Sequence, residues 1–279
     1  MIDAQIHVGC QGWAYEDWVN VPMDPPILYP FGTRPEQMLE IYSRAFSTVE
    51  IDSTFYAIPS ASSVDNWLKR TPSEFRFALK FPREVTHQLM FRGESASVLA
   101  AFCDRVRVLG DKLACVLIQT PPAFDGGAEN FRALDEFLSH LEPDIRFAIE
   151  FRNREWIDAH VVDILGKHGV AYSLVQGQWL SDADIRWIAA NPTTDFAYIR
   201  WMGERDLVRF DKIQRPQDEN LDRWNRLIDY LKPKFSNIFA YFSNFYEGNA
   251  AASANKLKRL LGQTVLDPSA LEIQPTLFS

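Results

Sequence analysis

Two glutamates, Glu50 and Glu150, each close a short β-rich segment, and Lys80, Gln119 and Arg200 close three others. A pair of carboxylates can pass protons to and from a reacting group, while nearby cations hold one of them ionised and stabilise developing negative charge. On this reading Glu50, Lys80, His87, Glu150 and Arg152 are the candidate catalytic residues. His87 is included because imidazole titrates near neutrality; His7 lies inside a strand-like segment, and His140, His160 and His168 lie on or near helical ones. Around the same segment ends stand Trp13, Tyr15, Asp52, Tyr56, Gln119, Trp156, Arg200 and Asn244, the candidate substrate-binding residues. Rings suit a flat or sugar-like face, and polar groups fix its orientation. Two plainer readings stand beside these. Large aromatics such as Trp156 are mostly core, and Glu50, Asp52 and Glu150 could simply neutralise Lys80, Arg152 and Arg200.

These side chains can meet only if the elements that carry them converge. Strand-like segments recur at 5–9, 48–51, 76–80, 114–119, 146–150, 171–175, 196–200 and 237–242, and helical patterns at 35–45, 64–70, 95–109, 130–139, 157–168, 218–231 and 250–261, with a shorter one at 181–190. Strands alternating with crossover helices predict a parallel sheet. Eight such units in 279 residues favour an α/β fold of one TIM-type (β/α)8 barrel over an open doubly wound sheet, with irregularity expected around the sixth crossover. The domain spans 1–279, with 267–279 as a C-terminal tail packed loosely over the barrel. The proline-rich stretch 21–34 reads as an extended loop. Active sites of such barrels lie at the carboxyl ends of the strands. Alternation supports convergence there: Val49, Ile51, Phe77, Leu79, Val116, Ile118, Ile149 and Phe151 take one phase, suited to packing under helices, and the polar set takes the other.

Composition excludes several classes. With 29 bases against 37 acids the net charge is −8, which opposes bulk binding to nucleic acid or anionic membranes. No apolar run approaches the roughly 18 residues of a membrane span. Three cysteines without a paired spacing, and a start without a signal-peptide pattern, predict a cytoplasmic protein. Neither a GxGxxG after the first strand nor a phosphate-binding GxxxxGK(S/T) occurs, and no HExxH, so no cofactor and no required metal are expected. Cys10 reads as a small buried thiol. After the eighth strand, Ser243, Asn244, Gly248 and Asn249 precede a helix whose exposed N–H groups suit an anion, though capping explains Asn249 equally well.

In these residues the chain resembles the YecE-like family, a domain of unknown function. The resemblance is carried by Gly9, Cys10, Gln11, Gly12 and Trp13; by Tyr29 and Pro30; by the run from Val49 to Tyr56; by Phe77 to Lys80 with Thr86 and His87; by Gln119 to Pro122; and by Ile149 to Arg152 with Trp156. It implies a TIM-type barrel with a polar mouth and brings no reaction with it. Three positions depart from the family pattern: Met202 replaces a histidine, Gln176 stands where an aspartate is sought, and Ser243 replaces an asparagine.

The first functional expectation is a hydrolase using acid–base chemistry on a sugar-like or phosphorylated small molecule. Glu50 and Glu150, on strands facing each other across the ring, would be spaced as in an inverting glycosidase, about 6.5–9.5 Å apart. The alternatives are non-catalytic capture of an anionic metabolite or a nucleic-acid end, and a metal-dependent phosphoesterase using Glu50, Glu150 and His87. In each case the partner is a small polar or anionic ligand.

Overall fold

Segments of alternating apolar phase become strands whose two faces are both covered. The computed structural model describes residues 4–19 and 26–271. Its strands are β1 (Gln5–Gln11), β2 (Thr48–Ile51), β3 (Arg76–Lys80), β4 (Leu113–Gln119), β5 (Phe147–Glu150), β6 (Val170–Tyr172), β7 (Leu174–Gln176), β8 (Phe196–Trp201) and β9 (Asn237–Phe242). All pairings are parallel, and the order β6-β5-β4-β3-β2-β1-β9-β8-β7 runs around a ring. The ring is TIM-barrel-like and nearly closed. The helices are α1 (Pro35–Ala45), α2 (Ala61–Lys69), α3 (Ser95–Val106), α4 (Ala128–Leu138), α5 (Ala159–His168), α6 (Asp182–Ala190), α7 (Asp218–Leu231), α8 (Asn244–Glu247) and α9 (Ala250–Leu260).

The irregularity expected around the sixth crossover, at the short helix 181–190, is found earlier, in the preceding strand. The predicted 171–175 strand is broken at Ser173: β6 pairs with β5 and β7 pairs with β8. Ser173 donates its N–H to Ile149 at 2.9 Å, so the covalent chain itself carries the ring across this gap. The following helix α6 is regular and well anchored. Ser181 and Asp184 form a reciprocal capping box, and Asp184 also accepts from Arg154 Nε, shared between its two oxygens, and from Nη2. The helix expected over 95–109 stops at Val106 and continues as a tighter turn containing Gly110 at φ 53°. Residues 26–34 form no helix or strand; the rest of the 21–34 loop, and the tail beyond 271, lie outside the described residues.

Alternation divides the core in two. Val49, Ile51, Phe77, Leu79, Val116, Ile118, Ile149 and Phe151 belong to the layer between strands and helices. Ala78, Ala148 and Ala171 face the ring interior, where their small side chains leave room for Tyr198 and Tyr241. Gly9 belongs to the same level, and a Cβ there would lie 2.1 Å from the Thr48 carbonyl oxygen. The ring thus has a solid apolar floor, and on it rests a polar layer.

Candidate active site

Residues two apart on a strand share a face, so Tyr198 in the ring interior places Arg200 one level higher on β8. Its guanidinium is 1% exposed and lies between the two glutamates. Nε and Nη2 donate to Glu50 at 2.9 and 2.7 Å, and Nη1 donates to Glu150. Glu50 also accepts from the Tyr198 hydroxyl at 2.8 Å. Glu150 accepts from Gln119 Nε2 at 2.8 Å and from Arg152 Nε at 2.9 Å.

The two carboxyls feel different fields. Burial pushes the Glu50 carboxyl above its ordinary range, Arg200 opposing and Asp52 adding to the rise. Burial acts on Glu150 as well, but Arg200, Arg152 and Lys80 together outweigh it and hold that carboxyl at about 2.

This arrangement overturns the expected acid–base pair. Every carboxylate oxygen of Glu50 and Glu150 accepts a hydrogen bond from the protein, and both residues are essentially unexposed. A guanidinium occupies the space in which an inverting glycosidase holds its water, so the spacing argument fails with it. The phosphoesterase donor set fails for the same reason, since its two glutamates are committed to Arg200. Among the described residues, no cluster of three or more His, Cys, Asp or Glu side chains is placed to hold a metal ion.

Lys80 has no such hydrogen bond. It ends β3 on the interior face and is 6% exposed, yet its ammonium makes no hydrogen bond among the described residues. Asp52 Oδ1 is 4.0 Å from Nζ, and the Phe55 ring centroid also lies 4.0 Å away. Burial lowers the amine to about 8, with Asp52 acting against the shift and Arg200 adding to it. Asp52 Oδ1 is itself buried without a hydrogen bond. Both residues line a cavity of about 90 Å3 with Gln11, Tyr15, Arg205 and Asn244.

His87 stands at the edge of this mouth, in the π-helical turn Glu84–Gln88. Its ring meets Phe55 edge-on at 5.0 Å, and Nδ1 is 2.8 Å from the Thr86 hydroxyl. Burial lowers the imidazole to about 4, and Lys80, Arg152 and Arg83 add to the shift. Just beyond, Met90 and Phe91 take φ of 46° and 65°. Packing of Phe91 against Phe124 and Phe137 holds this strained turn in place. His87 is therefore expected to stay neutral down to about pH 4 in an NMR titration. The sign follows from the lowered value: protonation opposes folding, so the cost appears as pH falls below 6.5 and is complete below 4. A midpoint at 6.5 would show that neither burial nor the three cations act on the ring.

The remaining candidates separate. Tyr15 lines the cavity and donates its hydroxyl to the Gln11 carbonyl at 2.6 Å. Tyr56 is exposed on the rim, edge-on to Phe55. Trp13 is half-buried and outside the cavity lining. Trp156 belongs to the core: it is 0% exposed, stacks on Phe151 at 4.6 Å and Phe124 at 5.0 Å, and donates Nε1 to the Phe124 carbonyl. It therefore offers no face to a ligand. Gln119 braces Glu150. Asn244 reaches the cavity, but its Oδ1 already accepts from Trp18 Nε1 and the Ala250 N–H. With Asn249 capping Ala252, the anion site considered after the eighth strand resolves into helix capping. Cys10 is buried, and burial pushes its thiol up.

Sequence reasoning missed Tyr198, whose place two residues before Arg200 was the available signal. It also missed Arg205 and Phe210, on the loop 203–217, which has no periodicity to read. That loop is pinned by tertiary contacts, from the Phe210 N–H to Asp17 and from Asn249 Nδ2 to the Phe210 carbonyl. Of the departures, Met202 lines the cavity and accepts from Gln11 Nε2 at 3.1 Å. Gln176 instead accepts from Trp224 Nε1 on α7.

The sequence profile of the family described as "Protein of unknown function DUF72" matches residues 7–275. The chain belongs to the DUF72 family. UPF0759 protein YunF of Bacillus subtilis (strain 168) is 27% identical to this DUF72 chain over 279 residues, covering 92% of it and 94% of YunF. UPF0759 protein YecE of Escherichia coli (strain K12) is 28% identical over 151 residues, covering 54% of the chain and 50% of YecE. A DUF72 family crystal structure from Thermotoga maritima MSB8 superposes with a TM-score of 0.76 at 26% identity, covering 93% of the DUF72 chain and 100% of that protein. The resemblance and the barrel fold read from the sequence are both borne out. No described helix is long and apolar enough to cross a membrane.

Proposed function

We propose that the barrel mouth binds a small anionic molecule, phosphorylated or carboxylated, and hydrolyses it with Lys80 at the centre of the site. The observation that carries this reading is the Lys80 ammonium, almost fully buried and without a hydrogen bond, at the wall of a cavity. Asp52 at 4.0 Å and the Phe55 ring face meet this charge without supplying a hydrogen bond, and a buried ammonium left short of hydrogen bonds carries a cost that an anionic ligand would offset. The sign of that ligand is supported by His87, whose imidazole is lowered first by burial and further by Lys80, Arg152 and Arg83. In this reading Lys80 and Arg205, which both line the cavity, receive the anionic group; for a phosphate ester, Asp52 takes a proton from the water that attacks phosphorus, the P–O bond to the organic group breaks, and the released alcohol oxygen takes its proton from solvent. Arg200 and the two glutamates are the frame that holds these residues at the mouth. The cytoplasm is the proposed setting, in keeping with three free buried cysteines.

A second reading, capture without turnover, is favoured by the size of the cavity. About 90 Å3 accommodates a phosphate-sized group and not a whole sugar ring. One experiment separates the two. Phosphorylated and carboxylated metabolites are screened for thermal stabilisation of wild type and of Lys80→Met, and each hit is then followed by mass spectrometry. Hits that stabilise wild type by several degrees and leave Lys80→Met unmoved are expected. A hit converted over hours supports hydrolysis, and one left intact supports capture. Hits that stabilise both proteins equally would remove Lys80 from the site and end both readings.

A further inference from the structure

A second concavity lies away from the mouth, between α6 and α7. The helix α7 sets Asn220, Arg223, Trp224 and Leu227 along one side at the i, i+3, i+4, i+7 spacing of a single face. The α6 side of the groove is short, because that helix has nine residues against fourteen in α7. The result is a groove of about 540 Å3, a size typical of sites for small organic ligands.

Its floor is preformed and its rim is charged. Trp224 is 3% exposed, its ring meets Trp201 at 5.0 Å, and its Nε1 is fixed on Gln176 at 3.0 Å. Ile185 and Leu227 extend the apolar surface, and Tyr230, 48% exposed, stands at one edge. Around this floor are Arg186, Arg223 and Arg226, against one carboxylate, Asp182. None of the three guanidinium groups forms an ion pair or a hydrogen bond among the described residues. Although α6 and α7 together carry more acids than bases, the groove's own lining presents three unengaged arginines against one carboxylate around an aromatic floor.

We infer that the α6–α7 groove is a binding site for a small organic anion with a flat apolar body, separate from the barrel mouth. The body lies over Trp224 and Ile185, and the acidic group meets Arg223 and Arg226, with Arg186 closing from the opposite wall. Guanidinium suits this task because it stacks on flat faces and forks onto carboxylate, sulfonate or phosphate oxygens.

The probe is 1-anilinonaphthalene-8-sulfonate, titrated into the native full chain by fluorescence, with N-phenyl-1-naphthylamine as the uncharged counterpart. Saturable binding at one site per chain is expected, at least ten-fold tighter for the sulfonate than for the neutral amine. The double variant Arg223→Glu/Arg226→Glu should weaken sulfonate binding by at least ten-fold, in line with loss of charge-assisted contacts. Arg186→Gln, on the other helix, tests the same site if the double variant unfolds, and should weaken binding about three-fold or more. Lys80→Met should leave it unchanged. Unfolding curves matching wild type guard against probe bound to loosened protein. Equal affinity for the two probes, an unaffected Arg186→Gln in folded protein, or loss of binding in Lys80→Met would each overturn the proposal. The last result would move the anion to the mouth without touching the reading made there.

Discussion

Arg200→Met is expected to destabilise the protein by about 3–5 kcal/mol, the range seen when one member of a buried ionic set is removed. The reason is the sharing of one guanidinium between two carboxylates that have no access to water. Methionine keeps the apolar stem of the side chain and removes the charge, leaving Glu50 with Tyr198 alone and Glu150 with Gln119 and Arg152. Equilibrium urea unfolding at pH 7 gives the magnitude. The triple variant Glu50→Gln/Glu150→Gln/Arg200→Met, which removes all three charges, should recover most of the loss, since the penalty belongs to uncompensated charge and not to the missing side chain.

Acidity provides a second, independent signature. In wild type the Glu150 carboxyl sits at about 2, below its ordinary 4.5, so its contribution is present above 4.5 and is lost as pH falls toward 2. Without Arg200, the burial that already raises Glu50 loses its main opposition, so that carboxyl rises further above its ordinary range. The native state then binds more protons than the unfolded chain, and the variant should gain stability as pH falls from 7 toward 5, where the Glu150 contribution in wild type is still fully present. An Arg200→Met protein with wild-type stability at pH 7 would mean that the three groups do not form one network.

Lys80→Met should move stability in the opposite direction while removing ligand binding at the mouth. Burial holds the folded amine at about 8 against 10.5 for the ordinary group. Folding therefore works against the ammonium at neutral pH; the penalty is complete below 8 and is relieved as pH rises to 10.5. Replacing the charge with an apolar side chain of similar length should raise the unfolding free energy at pH 7 by about 1–3 kcal/mol. Over pH 8–10.5 the wild type should gain stability that the variant does not. The same shift makes the amine reactive. At pH 7.5 roughly a quarter of it is neutral, against about 0.1% of an ordinary lysine, so acetic anhydride should modify Lys80 with an advantage of up to about 200-fold per accessible amine. Mass spectrometry of competitive labelling across pH reads the titration directly. A Lys80 that labels like surface lysines, in a variant series where Lys80→Met loses stability, would return this residue to a structural role. A group that costs stability and is kept is the expected mark of a working site.

Much of the frame was legible from the chain because its cause is local. Side chains alternate along a strand with period two, so the polar phase of Glu50, Lys80, Gln119, Glu150 and Arg200 and the apolar phase of Val49, Ile51, Leu79 and Ile149 follow from neighbours a few residues away. The same locality gave the succession of strand and helix and hence the barrel. The break at Ser173 was not legible: the pattern reads 171–175 as one strand, and the weakly patterned helix after it is regular.

The chain alone determined which residues stand at the rim; only the tertiary structure decided what each of them faces. Arg200 meets Glu50 across 150 residues of sequence and Glu150 across 50, and nothing in the local pattern says that one guanidinium reaches both. That contact depends on the diameter of the ring and on the small side chains beneath it. It turned the expected catalytic pair into a buried brace and left Lys80 and Asp52 facing each other at 4.0 Å without a hydrogen bond. Trp156 went the same way, drawn into an aromatic stack by Phe124 and Phe151. Periodicity is set by bonds along the backbone, whereas pairing is set by distances through space, and those exist only once the ring has closed.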